Sequence, residues 1–210
     1  MTVSDKVVST KKGGYISKPV LKDVSGNVLK QGKDYEAPVY SIVSGNEAPV
    51  KLGKNDKVTQ VGTVITVTLK GKGAYAGTAE KESVITGTYV ITPRDFTKIK
   101  VAAIRKEYTG RKVTLTESDF YSVNNLGRRV SKVTIKNGKN EIYLEYGRDF
   151  EIVPGSYKNN LKNGTASVIL RGISKNGGLY GGTKTIKFKI GSRGFSAWDW
   201  WQNFTDFLGL

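Results

Sequence analysis

The sequence contains no cysteine and no histidine. Without cysteine there can be no disulfide bonds, zinc–thiolate sites or thiol nucleophiles. Without histidine, Ser-His-Asp and Cys-His arrangements and His-ligated metal sites are excluded. The remaining acid–base roles would fall to Asp, Glu, Lys or Tyr, so we expect a protein that is not an enzyme and that uses no cofactor and no metal.

Long apolar runs are also missing. No stretch approaches the roughly 20 apolar residues of a membrane span, and the residues after Met1 do not form a signal peptide. If the protein is exported, we expect its signal to lie outside this sequence. The glycine-rich segments at 71–77 and 172–182 fit neither a Walker nor a dinucleotide-binding spacing, so we interpret them as turns.

Glycine and alternating apolar residues dominate what is present. The chain has 25 glycines, and strand-like alternation runs through 61–69 and 183–190. In the second segment Ile186, Phe188 and Ile190 share one face, while Lys187 and Lys189 share the other. Asn137-Gly138 predicts a hairpin with a type I′ turn. Short strands separated by Gly and Asn turns predict an all-β fold of sandwich type.

The net charge of +16 allows two interpretations. Such a field attracts polyanions, for example an anionic cell-wall polymer, a glycan or nucleic acid. Alternatively, the lysines only form the solvent-facing half of alternating strands, because they occur singly and never in a long block.

Three blocks of similar sequence occur twice, in the same order and about 100 residues apart. The turn block contains a glycine and an aspartate in each copy, Gly32 with Asp34 and Gly147 with Asp149. We expect positive φ at these glycines and Asx-type hydrogen bonds from these aspartates. We expect Tyr75 and Tyr180 to pack at the ends of the sandwiches with their hydroxyls outward. The paired blocks are 29–36 with 144–151, 62–71 with 164–172, and 73–78 with 178–183.

These blocks resemble the bacterial Ig-like repeats found in tandem on cell-surface proteins of Gram-positive, Firmicutes-type bacteria. The second copy carries the motifs most completely, in Tyr108-Thr-Gly110, Gly147-Arg-Asp-Phe150, Tyr157-Lys-Asn-Asn160 and Gly164-Thr-Ala-Ser-Val168. The first copy departs from the pattern between Ser41 and Val61, where we expect a longer loop. The resemblance implies two tandem Ig-like β-sandwich domains, at 1–92 and 93–191, and an extracellular or cell-surface location. It implies no catalytic residues.

The tail at 192–210 differs in composition from the rest, and it contains all three tryptophans. Its apolar residues follow a helical period, which predicts a short amphipathic helix with Asp199 and Asp206 on the polar face. We expect this helix to bind the protein's own surface, another copy of the chain, a membrane interface or an outside partner. The predicted partner-binding residues are Trp198, Trp200, Trp201, Phe204, Phe207 and Leu208.

Two functions therefore fit the sequence, and we expect the first. It is a non-catalytic spacer or adhesion module of a secreted or cell-surface bacterial protein, with a protein or glycan partner at the cell surface and a tail for association or anchoring. The alternative is a basic module that binds anionic polymers, among which nucleic acid is not expected. An enzyme fragment whose catalytic domain lies upstream is a third reading.

Overall fold

The computed structural model describes residues 1–9, 11–43 and 47–191, and within them the fold is all-β. The chain forms two compact units. Of the described residues, unit 1 comprises those within Met1–Asp95 together with Ser174–Gly181, and unit 2 comprises Phe96–Ile173 together with residues 182–191. The predicted tail helix and its six partner-binding residues lie outside the described residues. The division into 1–92 and 93–191 stays a prediction.

The secondary structure consists of short strands and three single-turn 3-10 helices, at Gly73–Tyr75, Phe96–Lys98 and Glu117–Phe120. No α-helix occurs in the described ranges. The strands in chain order are β1 (Lys6–Val7), β2 (Val39–Ile42), β3 (Val50–Lys51), β4 (Val64–Lys70), β5 (Val84–Thr92), β6 (Arg94–Asp95), β7 (Lys100–Val101), β8 (Arg105–Glu107), β9 (Tyr121–Val123), β10 (Arg129–Ser131), β11 (Val133–Asn137), β12 (Asn140–Tyr143), β13 (Phe150–Ile152), β14 (Gly164–Gly172), β15 (Tyr180–Gly181) and β16 (Thr183–Gly191).

Unit 1 is built on a five-stranded sheet in the order β1-β5-β4-β2-β3. Strand β1 pairs with β5 in parallel, and the other pairs are antiparallel. The alternation predicted for β4 is confirmed, because Ile65, Val67 and Leu69 are buried while their neighbours along the strand are partly exposed. The short strands β6 and β15 pair in parallel and complete this unit.

Three tyrosines form the polar part of the core of unit 1. The rings of Tyr15, Tyr40 and Tyr89 pack edge to face in sequence, with centroids 5.8 Å and 6.4 Å apart. Each hydroxyl donates a hydrogen bond to a backbone carbonyl, so the buried oxygens are satisfied. The acceptors are the carbonyls of Gly53 at 2.7 Å, Ser17 at 3.1 Å and Tyr15 at 2.7 Å, respectively.

Unit 2 contains a four-stranded sheet in the order β13-β14-β16-β8, a three-stranded sheet β12-β11-β7 and a two-stranded ribbon β10-β9. In β16 the predicted faces are confirmed, since Ile186, Phe188 and Ile190 are buried and Lys187 and Lys189 are exposed. Strand β14 buries its alternate residues in the same way, and β8 joins β16 in parallel. The long central pair β14–β16 sets the register of the whole sheet.

The predicted hairpin at 133–144 is confirmed, but its predicted turn type is wrong. Strands β11 and β12 pair with Asn137 opposite Asn140, so the central turn residues are Gly138 and Lys139. Gly138 has a φ of +65°, whereas Asn137 and Lys139 are not among the residues with positive φ. A positive φ at the first central residue alone corresponds to a type II′ turn.

Candidate functional site

The repeated turn block has the same backbone geometry in both units. Gly32 has a φ of +85° and Gly147 a φ of +82°, as the sequence predicts for both positions. The Asp34 carboxylate accepts a hydrogen bond from the Lys30 amide at 2.8 Å, and the Asp149 carboxylate accepts one from the Glu145 amide at 2.8 Å. The predicted turn roles are therefore confirmed, and these aspartates serve the backbone.

The tyrosines predicted at the ends of the two sandwiches differ from each other. Tyr75, which lies in a 3-10 turn of unit 1, is 36% exposed. Tyr180 is only 3% exposed, and its strand β15 pairs with β6 inside unit 1. Similar sequence around these two residues thus leads to different burial, because burial depends on what packs against each turn.

The two turn blocks also differ in one side chain. Tyr146 in unit 2 occupies the position that Gln31 occupies in unit 1, and each residue forms the same parallel bridge, to Phe150 and Tyr35 respectively. The Tyr146 ring stacks on Phe120, with centroids 5.5 Å apart at 11°, and meets Phe150 edge to face. Gln31 is exposed and supplies no ring at the corresponding place.

A cleft opens in unit 1 beside this turn, with a volume of about 240 Å³. Its apolar lining includes partly exposed side chains such as Tyr75 and Ile85, and Val24 at the rim is fully exposed. The polar rim residue Asp23 is occupied, since it accepts hydrogen bonds from Ser25 and Asn27. The apolar residues that line the cleft, hereafter the unit 1 cleft, are Leu21, Val24, Leu29, Tyr35, Leu69, Tyr75 and Ile85.

The outer face of the β13-β14-β16-β8 sheet collects exposed cations. Cross-strand pairing places Arg105 and Thr165 on either side of Lys189, and Ser167 opposite Lys187. Directly opposed residues project from the same face, and Lys158 joins the second row through its bridge to Ser167. The resulting surface, hereafter the basic face, consists of Arg105, Lys158, Thr165, Ser167, Lys187 and Lys189.

The lysines of the basic face are not neutralised by carboxylates in the part of the chain that the structure describes. Lys189 donates to the Thr165 hydroxyl at 2.7 Å, and the ion pairs of this unit involve other residues. Lys187 and Lys189 leave the sheet about 6.7 Å apart along β16, the rise of two residues. Two positive charges at this spacing repel one another and favour an anionic ligand.

Two surface depressions adjoin on this side of unit 2. One, of about 480 Å³, is bordered by Arg105, Lys187 and Lys189. The other, of about 510 Å³, is bordered by the loop 159–163. Both include Thr165, so the polar surface continues from the cations to the amides of the asparagine-rich loop.

Charge is distributed unequally between the units. The described part of unit 2 contains 18 Lys and Arg residues and 7 Asp and Glu residues, whereas unit 1 contains 15 and 9. Long-range attraction of polyanions would therefore act mainly on unit 2.

The carboxyl groups with shifted pKa values have structural partners. Hydrogen bonds from Asn27 lower the pKa of Asp23. Burial tends to raise the pKa of Asp119, but hydrogen bonds from the Thr116 amide and the Lys106 ammonium outweigh that effect and lower it. Among the described residues no three His, Cys, Asp or Glu residues cluster as metal ligands. These carboxylates stabilise turns and ion pairs.

Comparison with known proteins finds no match for the chain. No family model, no curated protein sequence and no solved structure matches the chain significantly. Within residues 1–9, 11–43 and 47–191, no helix has the length and apolarity needed to cross a bilayer.

Proposed function

We propose that the chain is a non-catalytic spacer or adhesion module of a secreted or cell-surface bacterial protein, built from two tandem Ig-like β-sandwich domains. The observation that carries the proposal is the repeated turn, whose glycine φ values and carboxylate-to-amide hydrogen bonds agree in the two units. The next backbone contact agrees too, because the Asp34 carbonyl accepts from Lys72 and the Asp149 carbonyl from Ile173, both at 2.9 Å.

The surface location is tested on cells that express the protein from its own gene. Antibodies against the purified chain should label intact cells, and a cytoplasmic protein of the same cells should be labelled only after permeabilisation. Labelling that requires permeabilisation for both proteins would refute the surface location.

A second function is favoured by the basic face. We propose that unit 2 binds anionic polymers there, because Lys158, Lys187 and Lys189 project from one sheet face and these three lysines have no carboxylate partner among the described residues. Arg105 lies on the same face, beside Lys189. Nucleic acid is the weaker candidate. Single-stranded binding needs exposed aromatic rings for stacking, and none belongs to the basic face.

The test measures the affinity of the full chain for poly(glycerol phosphate), heparin and single-stranded DNA at 50 and 200 mM salt. Lys187→Gln with Lys189→Gln should weaken binding and lower the slope of log affinity against log salt by about 1–2. The matched control is Lys136→Gln with Lys139→Gln, which removes the same charge from the exposed β11–β12 hairpin.

Equal losses in the two double variants would show that only net charge matters and would remove the basic face as a site. If the chain binds single-stranded DNA most tightly, nucleic acid is its ligand, and an anionic wall polymer or glycan is not.

A further inference from the structure

Each unit pairs a short strand near its start with its last long strand among the described residues, and the two strands run in parallel. In unit 1, β1 pairs with β5, and in unit 2, β8 pairs with β16. We call these pairs the unit 1 ladder and the unit 2 ladder. The Val8 amide donates to the Thr92 carbonyl at 2.8 Å and so closes the unit 1 ladder. The equivalent bond of the unit 2 ladder runs from the Tyr108 amide to the Gly191 carbonyl, at 2.7 Å.

The parallel direction of these strands decides how each ladder responds to tension along the chain. The chain is pulled at a point before the short strand and at a point after the long strand. These two forces act in opposite directions along neighbouring parallel strands, so the strands are sheared and all hydrogen bonds between them carry the load together. In an antiparallel pair loaded in the same way, both forces act at one end of the pair, and the bonds open one after another.

The two ladders differ in length and in one hydrogen bond. The unit 2 ladder contains three residue pairs, and the unit 1 ladder contains two. Where the unit 2 ladder starts, the Lys189 amide donates to the backbone carbonyl of Ile104 at 3.0 Å. At the corresponding place in unit 1, the Val90 amide donates instead to the side chain of Asp5, at 2.9 Å and exposed to solvent. The unit 1 ladder is therefore shorter, and one of its bonds depends on an exposed side chain.

We propose that the two ladders are force-bearing clamps, and that unit 1 yields before unit 2 when the chain is stretched between its ends. A spacer that is attached at one end and held by a partner at the other is loaded in this direction. This use of the clamps rests on the proposed spacer function, whereas their strength is a property of the purified chain. Force measurements on the purified chain and labelling of intact cells therefore test the two proposals separately.

The first test changes the direction of the pull on unit 2 and leaves its hydrogen bonds unchanged. The chain has no cysteine, so an introduced thiol gives a defined attachment point. In single-molecule force spectroscopy of the full chain, one handle is attached at the C-terminus and the other at Ala103→Cys or at Thr109→Cys. Both positions are exposed, and they lie on opposite sides of β8. A pull on position 103 shears the unit 2 ladder, and a pull on position 109 opens it from one end.

Unit 2 should unfold about 100-fold faster at a given force when it is pulled from position 109. Shear breaks about three more hydrogen bonds at once, and each net bond changes a rate by about 5-fold. The gain in length identifies the event, because the roughly 85 residues between the handle and Gly191 should add about 280–310 Å. The two variants should have the same urea midpoint, since neither residue belongs to the ladder. Equal unfolding rates from the two handles would overturn the proposal.

The second test assigns the weaker clamp. With handles at the two ends of the chain, both ladders are loaded and two unfolding events should appear. Asp5→Ala removes the acceptor of the Val90 amide, so the earlier event should become about 5-fold faster at a given force and the later event should not change. Asp5→Asn keeps an acceptor oxygen and should behave like the wild type.

Asp56→Ala is the matched control for Asp5→Ala. The Asp56 carboxylate accepts an equally exposed hydrogen bond from the Gly53 amide of the same unit, but outside the ladder. This variant should leave both unfolding events unchanged. A faster later event in Asp5→Ala would refute the order in which the units yield. Equal acceleration by Asp5→Ala and Asp56→Ala would show that the ladder bond carries no special load.

Discussion

Replacing Asp149 with alanine should destabilise unit 2 more than replacing Asp34 with alanine destabilises unit 1, although both carboxylates accept the equivalent hydrogen bond from a backbone amide. The side chain of Asp149 is 7% exposed, and its carboxylate also pairs with Arg148 at 2.8 Å. The hydrogen bond from Lys30 to Asp34 is exposed to solvent, so water can replace the lost acceptor there.

The expected magnitude follows from the group that is left without a partner. The hydrogen bond from the Glu145 amide to Asp149 is partly buried, and an amide that loses its acceptor in such a place costs about 1–3 kcal/mol, whereas an exposed turn or cap residue costs about 1 kcal/mol. The ion pair adds little, because the Arg148 side chain is 61% exposed. We therefore expect about 2 kcal/mol for Asp149→Ala and about 1 kcal/mol for Asp34→Ala.

Native-state hydrogen exchange, measured on peptides from 144–173 and 29–72, separates the two units. Where the exchange rate reports the free energy of opening, the loss of about 2 kcal/mol in Asp149→Ala corresponds to exchange about 30-fold faster in its turn. The loss of about 1 kcal/mol in Asp34→Ala corresponds to exchange about 5-fold faster. Asp149→Asn is the control, since its amide oxygen still accepts the Glu145 hydrogen bond. Equal acceleration of exchange in Asp34→Ala and Asp149→Ala, or an Asp149→Asn variant that exchanges as fast as Asp149→Ala, would contradict the prediction.

Three more predictions concern the core and the turns. The folded-state pKa of Asp119 is below its ordinary 3.8, so the ionised carboxylate stabilises unit 2 above about pH 4. This stabilisation should be lost as the pH falls through the lower folded value. In urea unfolding midpoints measured against pH, Asp119→Asn should show a smaller decrease at acid pH than the wild type. Burial raises the pKa of Tyr89 from 10.0 to about 12. The protonated hydroxyl should therefore stabilise unit 1 fully below about pH 10, and this contribution should be lost as the pH rises towards 12. Absorbance and circular dichroism titrations of the wild type and of Tyr89→Phe measure the difference. Gly71→Ala should unfold the cleft region, because the new Cβ would lie 1.9 Å from the Tyr75 carbonyl oxygen; a thermal midpoint equal to that of the wild type would contradict this close approach.

The long strands and the turns could be predicted because their signals are local. In β4 and β16 the alternation of apolar and polar residues is long enough to identify the buried face. Gly32 and Gly147 identify backbone positions that need positive φ. By contrast, β1, β3, β6, β7 and β15 have two residues each, too few to show any period. Their parallel or antiparallel partners depend on tertiary packing.

The candidate sites were predictable only in part, for the same physical reason. Alternation places Lys187 and Lys189 on an outer face, but the register of β14, β16 and β8 decides which other side chains join them. The turn type at Gly138 was wrong because a one-residue difference in register changes which residues are central. The unit 1 cleft leaves no local signal, since its lining comes from segments that are far apart in sequence, from Leu21 to Ile85.

The two turn blocks show which residue positions the backbone geometry requires and which position can carry different side chains. The glycine and aspartate positions act on the backbone, through a positive φ and an amide hydrogen bond. Replacing the glycine, or replacing the aspartate with a residue that cannot accept this bond, therefore costs stability in either unit. The position of Gln31 and Tyr146 has no such duty, because its side chain only packs beside the turn. The tyrosine at this position stacks on Phe120 in unit 2, and the glutamine is exposed to solvent in unit 1. One side-chain position beside the repeated turn therefore accepts either a stacked ring or an exposed amide, because the glycine φ and the carboxylate hydrogen bond are the same in both units.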